Sequence, residues 1–358
     1  MATTFKTLTA NDIVNTRTLL HEAIPLTGTI LSGTYVEQNI KTYSHGMFET
    51  SFDYPFLSSS ANHILDITAG YSANSGFSGS GVQNAKKINI YNQMASVLVG
   101  HNSVGAIQDF DQDGNIAGGG TKAKDVFFVN FSRLLTKDEI KKGSFTIAFL
   151  TGGVPTGDSP NANTDKLTLG DYGAVSSYFV NSPAGEYALL YTSSATPVAD
   201  SAFGHVYYQA GVAVLSGNIF RASSSLKHSS AEQSGSDLGP GASSASFDNH
   251  MTGSTIETLA ASIRNRIESI TFNNTIELNS TIYFCRINHN EFNYSSNPTY
   301  LNSSQLRVKN TTSDNPVSYI TTVGLYSSDN ELLAVAKLSE PLKKDPNTEL
   351  TLRVRLDY

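Results

Sequence analysis

The residues best placed to do chemistry are Asp109-Phe-Asp-Gln-Asp-Gly-Asn-Ile116. Asp109, Asp111, Asp113 and Asn115 stand at alternate positions, with glycine sixth and an aliphatic residue eighth. The first half of an EF-hand loop uses that spacing to wrap oxygen ligands round Ca²⁺. The twelfth position should then supply a bidentate glutamate, but it is Gly120, and residues 102–105 and 118–120 do not read as flanking helices. The same residues fit an Asx-rich turn joining two strands, in which side-chain oxygens bond the backbone two residues on. Two expectations follow: a turn held by its own carboxylates, or a loop stapled by a lone Ca²⁺. No other cofactor is expected.

Elsewhere the chemical signatures are missing. Gly118-Gly-Gly-Thr-Lys122 lacks the Gly-Lys-Ser/Thr order of a phosphate loop and reads as a turn. The eight histidines form no His-Glu-x-x-His pattern, and His289-Asn-Glu291 is too short for a zinc helix. No Gly-x-Ser-x-Gly elbow occurs. The lone Cys285 lies in an apolar run, reads as a small buried hydrophobe, and rules out an intrachain disulfide. The expectation is a protein that is not an enzyme. A net charge of -7, with Lys137–Lys142 interrupted by Asp138 and Glu139, argues against a nucleic-acid partner, because phosphate binding needs clustered cations. No apolar stretch approaches the roughly 20 residues of a membrane span, so no membrane partner is expected. Met1-Ala-Thr-Thr-Phe-Lys6 does not open a secretory signal, and synthesis in a reducing cytosol is the expectation.

The elements that carry these residues read as an α+β, β-rich chain. Antiparallel sandwich or barrel modules are expected, with a few peripheral helices. Ile13, Val14, Leu19 and Leu20 form a stripe closed by Pro25 and predict a helix over 9–24. Ile88, Tyr91, Met94, Ala95 and Leu98 predict a second over 83–99, stopped at Gly100. Ile256, Leu259, Ile263, Ile267 and Ile270 predict a third over 255–270. Val126-Phe-Phe-Val-Asn-Phe131 predicts a buried strand, and Thr136 with Glu139 a capping box opening a short helix. In the C-terminal part, 316–326 and 331–338 flank Ser327-Ser-Asp-Asn330 as a hairpin. Leu350, Leu352, Val354 and Leu356 then alternate with polar residues as a half-buried strand. Composition shifts divide the chain into a mixed domain over 1–150, a β-rich domain over 151–221, a Ser/Gly linker or arm over 222–250, and a helix plus β module over 251–358.

Ile282-Tyr-Phe-Cys-Arg-Ile-Asn-His-Asn-Glu-Phe-Asn-Tyr-Ser-Ser-Asn-Pro-Thr-Tyr300, Tyr319-Ile-Thr-Thr-Val-Gly-Leu-Tyr326 and Leu333-Ala-Val-Ala-Lys-Leu-Ser-Glu-Pro341 resemble the C-terminal module of virion structural proteins from large contractile-tailed marine phages, cyanophages among them. Leu19-Leu-His-Glu-Ala-Ile-Pro25, Asp53-Tyr-Pro-Phe56 and Asn130-Phe-Ser-Arg-Leu-Leu-Thr-Lys-Asp-Glu-Ile140 look like other parts of that family. The resemblance implies a virion component that partners other virion proteins. A repeated tail or baseplate subunit in a symmetric ring is the first expectation. A receptor- or carbohydrate-binding tip or depolymerase is the alternative, and a neck or capsid-surface protein a further one. Absence of tryptophan tilts against a sugar platform. Expected contact regions are 72–81, 222–250 and the aromatic stretch 292–300, with Phe292, Tyr294, Tyr300 and Tyr358 as interface candidates, because tyrosine brings large area and a polar tip to interfaces.

Overall fold

Val126-Phe-Phe-Val-Asn-Phe131 shows no alternation of polar and apolar residues because both faces of its strand are covered. The computed structural model describes residues 5–27, 39–57, 61–79, 81–150, 166–192, 202–221, 247–295, 297, 300–302, 305–306, 311 and 313–358. Strand β7 (Asp125–Phe131) lies inside an eight-stranded antiparallel sheet. One side continues through β4 (His63–Tyr71), β3 (Glu49–Phe52) and β2 (Ile40–Thr42). The other continues through β14 (Val212–Ser216), β13 (Gly204–Tyr207), β12 (Gly185–Leu190) and β11 (Phe179–Ser182).

On one face of this sheet Leu65, Phe127, Val129 and Leu215 join a core with Ile147, Phe149, Ile270 and Phe272. The latter belong to a second sheet, whose path runs β1 (Ile13–Thr27), β15 (Ile267–Ile287), β9 (Thr146–Leu150) and β10 (Lys166–Gly170). On the opposite face Val126, Phe128, Leu189 and Val214 pack with Tyr91, Ala95 and Leu98 of helix α1 (Asn84–Leu98) and with Phe110. Each fully buried side chain of this size contributes about 2–3 kcal/mol of apolar transfer. Helix α1 comes so near the sheet that an added Cβ at Gly70 would lie 2.7 Å from the Lys87 carbonyl oxygen, so only glycine fits there.

The β-rich, antiparallel class expected from the sequence is the observed one. Helix α1 also falls where periodicity placed it. The stretch 9–24 does not form a helix. A single 3₁₀ turn at Ala10–Asp12 leads into β1, whose Ile13, Val14, Thr16 and Thr18 are stiff at χ1 and suit an extended backbone, and which pairs with β15. Its apolar stripe stays exposed. The helix expected over 255–270 covers only Ile256–Arg264; Ile267 and Ile270 are buried on β15 instead. Thr136 ends rather than begins a helix: Arg133–Thr136 is α2, capped by the Ser132 hydroxyl, and Glu139–Ile140 is the short strand β8 beside β15. Residues 72–79 fold as consecutive turns, with Ser75 N–H donating to Ser72 O at 2.9 Å and Ser78 N–H to Ser75 O at 3.1 Å. Two further short helices, α3 (Asn218–Arg221) and α4 (Phe247–Gly253), precede α5 (Ile256–Arg264). The loop expected at 151–165 and most of the expected arm, 222–246, lie outside the described residues.

By contacts the chain divides into two units: Met1–Leu19 with Glu277–Tyr358, and Leu20–Ile276. The latter holds both cores described above. In the former, β20 (Leu350–Asp357) pairs with the C-terminal part of β15 from Ser280↔Asp357 to Ile287↔Leu350. A long ribbon of β18 (Ser318–Tyr326) and β19 (Leu332–Lys344) and a short one of β16 (Leu301–Asn302) and β17 (Gln305–Leu306) complete it. Pro341 sits inside β19 without breaking it, at a register shift between Ile320 and Thr322 of the partner strand. Among the described residues of this unit only three apolar side chains, Ile282, Ile287 and Val354, are buried.

Candidate functional site

The Asp109 loop is a hairpin that closes over the eight-stranded sheet. Its strands are β5 (Phe110–Asp111) and β6 (Lys122–Ala123), paired Phe110↔Ala123 and Asp111↔Lys122. Asp113 N–H donates to Asp111 Oδ1 at 2.9 Å and Asn115 N–H to Asp113 Oδ1 at 2.8 Å, two successive Asx turns. The Asp111 carboxylate also pairs with the Lys122 ammonium, while Asp109 Oδ1 accepts the Ser72 hydroxyl at 2.7 Å. Burial raises the Asp111 carboxyl above its ordinary value, with a hydrogen bond to Asp113 adding to the rise and Lys122 opposing it. The sheet grips the loop from below: Tyr187 Oη–H donates to Gly114 O at 3.1 Å, and the His205 Nε2 and Asp111 O are 2.5 Å apart. Gly114, at φ +81°, has the Phe179 ring where a Cβ would stand, 2.6 Å away. That glycine serves the packing of this turn, and the calcium alternative for Asp109, Asp111, Asp113 and Asn115 is not assembled. Among the described residues no group of three or more His, Cys, Asp or Glu side chains is arranged to hold a metal ion.

Other buried titratable groups in the Leu20–Ile276 unit are equally engaged. Lys87 Nζ donates to Met251 O and Ser254 O, each at 2.7 Å, and burial lowers its amine to about 8. Asp171 accepts Gly143 N–H at 2.6 Å, Phe145 N–H at 3.0 Å and Tyr208 Oη–H at 2.8 Å, and burial raises its carboxyl to about 6 against those donors. Glu49 and Arg264 pair at 2.5 Å while buried. His250 sits between Ser254, at 2.7 Å from Nδ1, and Ser262, at 3.4 Å from Nε2, but Ser262 donates to Leu259 O and Ser254 follows the end of α4. These networks tie helices and strands together. None presents a nucleophile to solvent.

Phe292 and Tyr300 meet the base of the β18–β19 ribbon. Lys344 is fully buried, and its ammonium donates to Asn293 Oδ1 at 2.6 Å, Asp345 O at 2.8 Å and His289 O at 3.0 Å. Its cross-strand partner Ser318 donates to the Phe292 carbonyl, and Tyr319 N–H donates to Tyr300 Oη at 3.2 Å. So Tyr300 faces the ribbon, half-buried, whereas Phe292 and Tyr294 expose their rings. Phe292 does so at φ +51°, a region a bulky side chain rarely adopts. Tyr358 is 74% exposed, although its backbone pairs with Asn279 in both directions at 2.9 and 3.1 Å. Sequence reading missed Lys344. Its signal was parity, since it follows Leu338 and Leu342 at even positions of β19 and so stands on the ribbon's less exposed face.

Beyond that base the ribbon is largely in solvent. Tyr319, Tyr326, Leu332, Leu333 and Val335 are all exposed, Leu333 by 68%. No further strand pairs with either edge among the described residues. The N-terminal half of β1 is similar: it ends the sheet path beside β15, and Ile13, Val14 and Leu19 are exposed on both of its faces. No family model, curated protein or solved structure matches this chain.

Proposed function

We propose that the chain is a structural subunit of a contractile-tailed phage virion, repeated in a symmetric ring of the tail or baseplate and acting through interfaces with its own copies and with other virion proteins. The family resemblance supplies the particle. The observation that carries the interface reading is the Met1–Leu19 and Glu277–Tyr358 unit, which buries three apolar side chains among its described residues while exposing thirteen large ones. Ordering backbone costs roughly 1–2 kcal/mol per residue, and apolar burial is the main term that offsets it. Strands that find little burial within the chain gain it by association. Unpaired strand edges offer backbone donors and acceptors to a neighbour in the same way. In a ring each weak contact is repeated, so modest interfaces hold a stable assembly.

The test is mass spectrometry and cryo-electron microscopy of purified particles of the source phage. The chain traced as a symmetric set, with residues 277–358 against neighbours, is the expected result. Particles that lack the chain, or carry it only at a fibre tip with a glycan on it, would overturn this reading.

A further inference from the structure

We infer that the β18–β19 ribbon docks on the same ribbon of a second copy of this chain, the two running antiparallel about a two-fold axis close to the Leu325↔Ala334 pair. The inference rests on reading this unit as an interface and names its partner. Three observations point to a second copy.

The first is shape and polarity. Around Leu325↔Ala334 the ribbon exposes Tyr326, Leu332, Leu333 and Val335, and the Tyr326 and Leu332 side chains close over Gly324, opposite Val335, into one apolar patch. The Phe5 ring covers part of Tyr326, with centroids 4.7 Å apart, yet the phenol remains exposed.

The second is charge placement along the ribbon. Strand β18 carries no charged residue; Asp329 and Glu331 lie at the turn, and Lys337 lies further down, opposite Thr322. An antiparallel neighbour centred on Leu325↔Ala334 brings Glu331 of each copy beside Lys337 of the other. Such a contact is self-complementary, as an isologous interface must be.

The third is net charge. The Met1–Leu19 and Glu277–Tyr358 unit contains ten Lys and Arg and ten Asp and Glu, so the whole net charge of -7 lies in Leu20–Ile276. Copies therefore meet without repulsion through this unit, and against repulsion through the other. The ribbon is also held ready: Lys344 and Ser318 fix its base.

Analytical ultracentrifugation of the full chain and two charge variants tests the proposal. Wild type is expected to dimerise, and Lys337→Glu and Glu331→Lys each to weaken the dimer at least tenfold. An equimolar mixture of the two variants is expected to return to within about threefold of wild type, because each then meets an opposite charge. Recovery in the mixture also shows that both variants are folded. A wild-type chain that stays monomeric at 100-fold the working concentration, variants that associate as wild type does, or a mixture that fails to recover each overturn the proposal. None of these results bears on whether the chain is in the particle, which is read from the particle itself.

Discussion

Asp111 shows how a metal-like spacing serves a turn. The alternate carboxylates point back to amides two residues on, and the cation the loop contains is its own Lys122. Lys122→Met is therefore expected to destabilise the chain by about 2 kcal/mol in urea, because it leaves a buried carboxylate without its partner. Added CaCl₂ is expected to leave Tm of the wild type unchanged; a calcium-dependent rise would restore the metal reading. Beneath the loop, His205 is wholly buried among Phe110, Tyr187 and Tyr207, and desolvation lowers its imidazole to about 4. Below pH 6.5 the unfolded chain takes up a proton that the folded chain refuses until about pH 4. Stability is lost as pH falls through that window, by up to ~3 kcal/mol. Urea midpoints at pH 7 and pH 4.5 for wild type and His205→Gln measure it: the variant should lose distinctly less on acidification. Equal losses would mean His205 already carries its proton.

At the scale of elements, patterns with one dominant period were legible and those shared by two periods were not. Leu350, Leu352, Val354 and Leu356 alternate cleanly, and β20 forms with that alternation intact. Ile13, Val14, Leu19 and Leu20 fit a helical stripe, against which the β-branched Ile13, Val14, Thr16 and Thr18 give only a weak local preference; a partner more than 250 residues away, β15, decides for the strand. Likewise the apolar series Ile256 to Ile270 crosses from α5 into β15 without a change of period, and only the turn at Asn265 and Arg266 marks the junction. The Asp109 turn was legible because its Asx chemistry is local. For Lys344 parity marked only the less exposed face, and its full burial was not legible because a buried lysine depends on acceptors from residues 289 and 293. Lys344→Met is expected to loosen the ribbon alone. Limited proteolysis within 318–344 should then accelerate at least fivefold while cleavage in Leu20–Ile276 keeps its rate, since stability is distributed regionally. A global loss of resistance would mean that the ribbon's anchor supports the whole fold.

For the whole molecule, the two units divide the physical work. Leu20–Ile276 stacks its eight-stranded sheet between a second sheet and a layer of helix and hairpin, and it carries the whole net charge of -7. The Met1–Leu19 and Glu277–Tyr358 unit is electrically balanced, has few buried apolar side chains, and presents free strand edges among its described residues. Exposed aromatics at Phe292 and Tyr294 add to the apolar surface of this unit. Hydrogen–deuterium exchange of the intact chain over a hundredfold range of concentration tests that division most directly. Self-association through the ribbon predicts that amides of 318–344 become protected as concentration rises while those of β4, β7 and α1 do not change. Exchange in 318–344 that stays fast and independent of concentration, in a chain that is nonetheless folded, would contradict it.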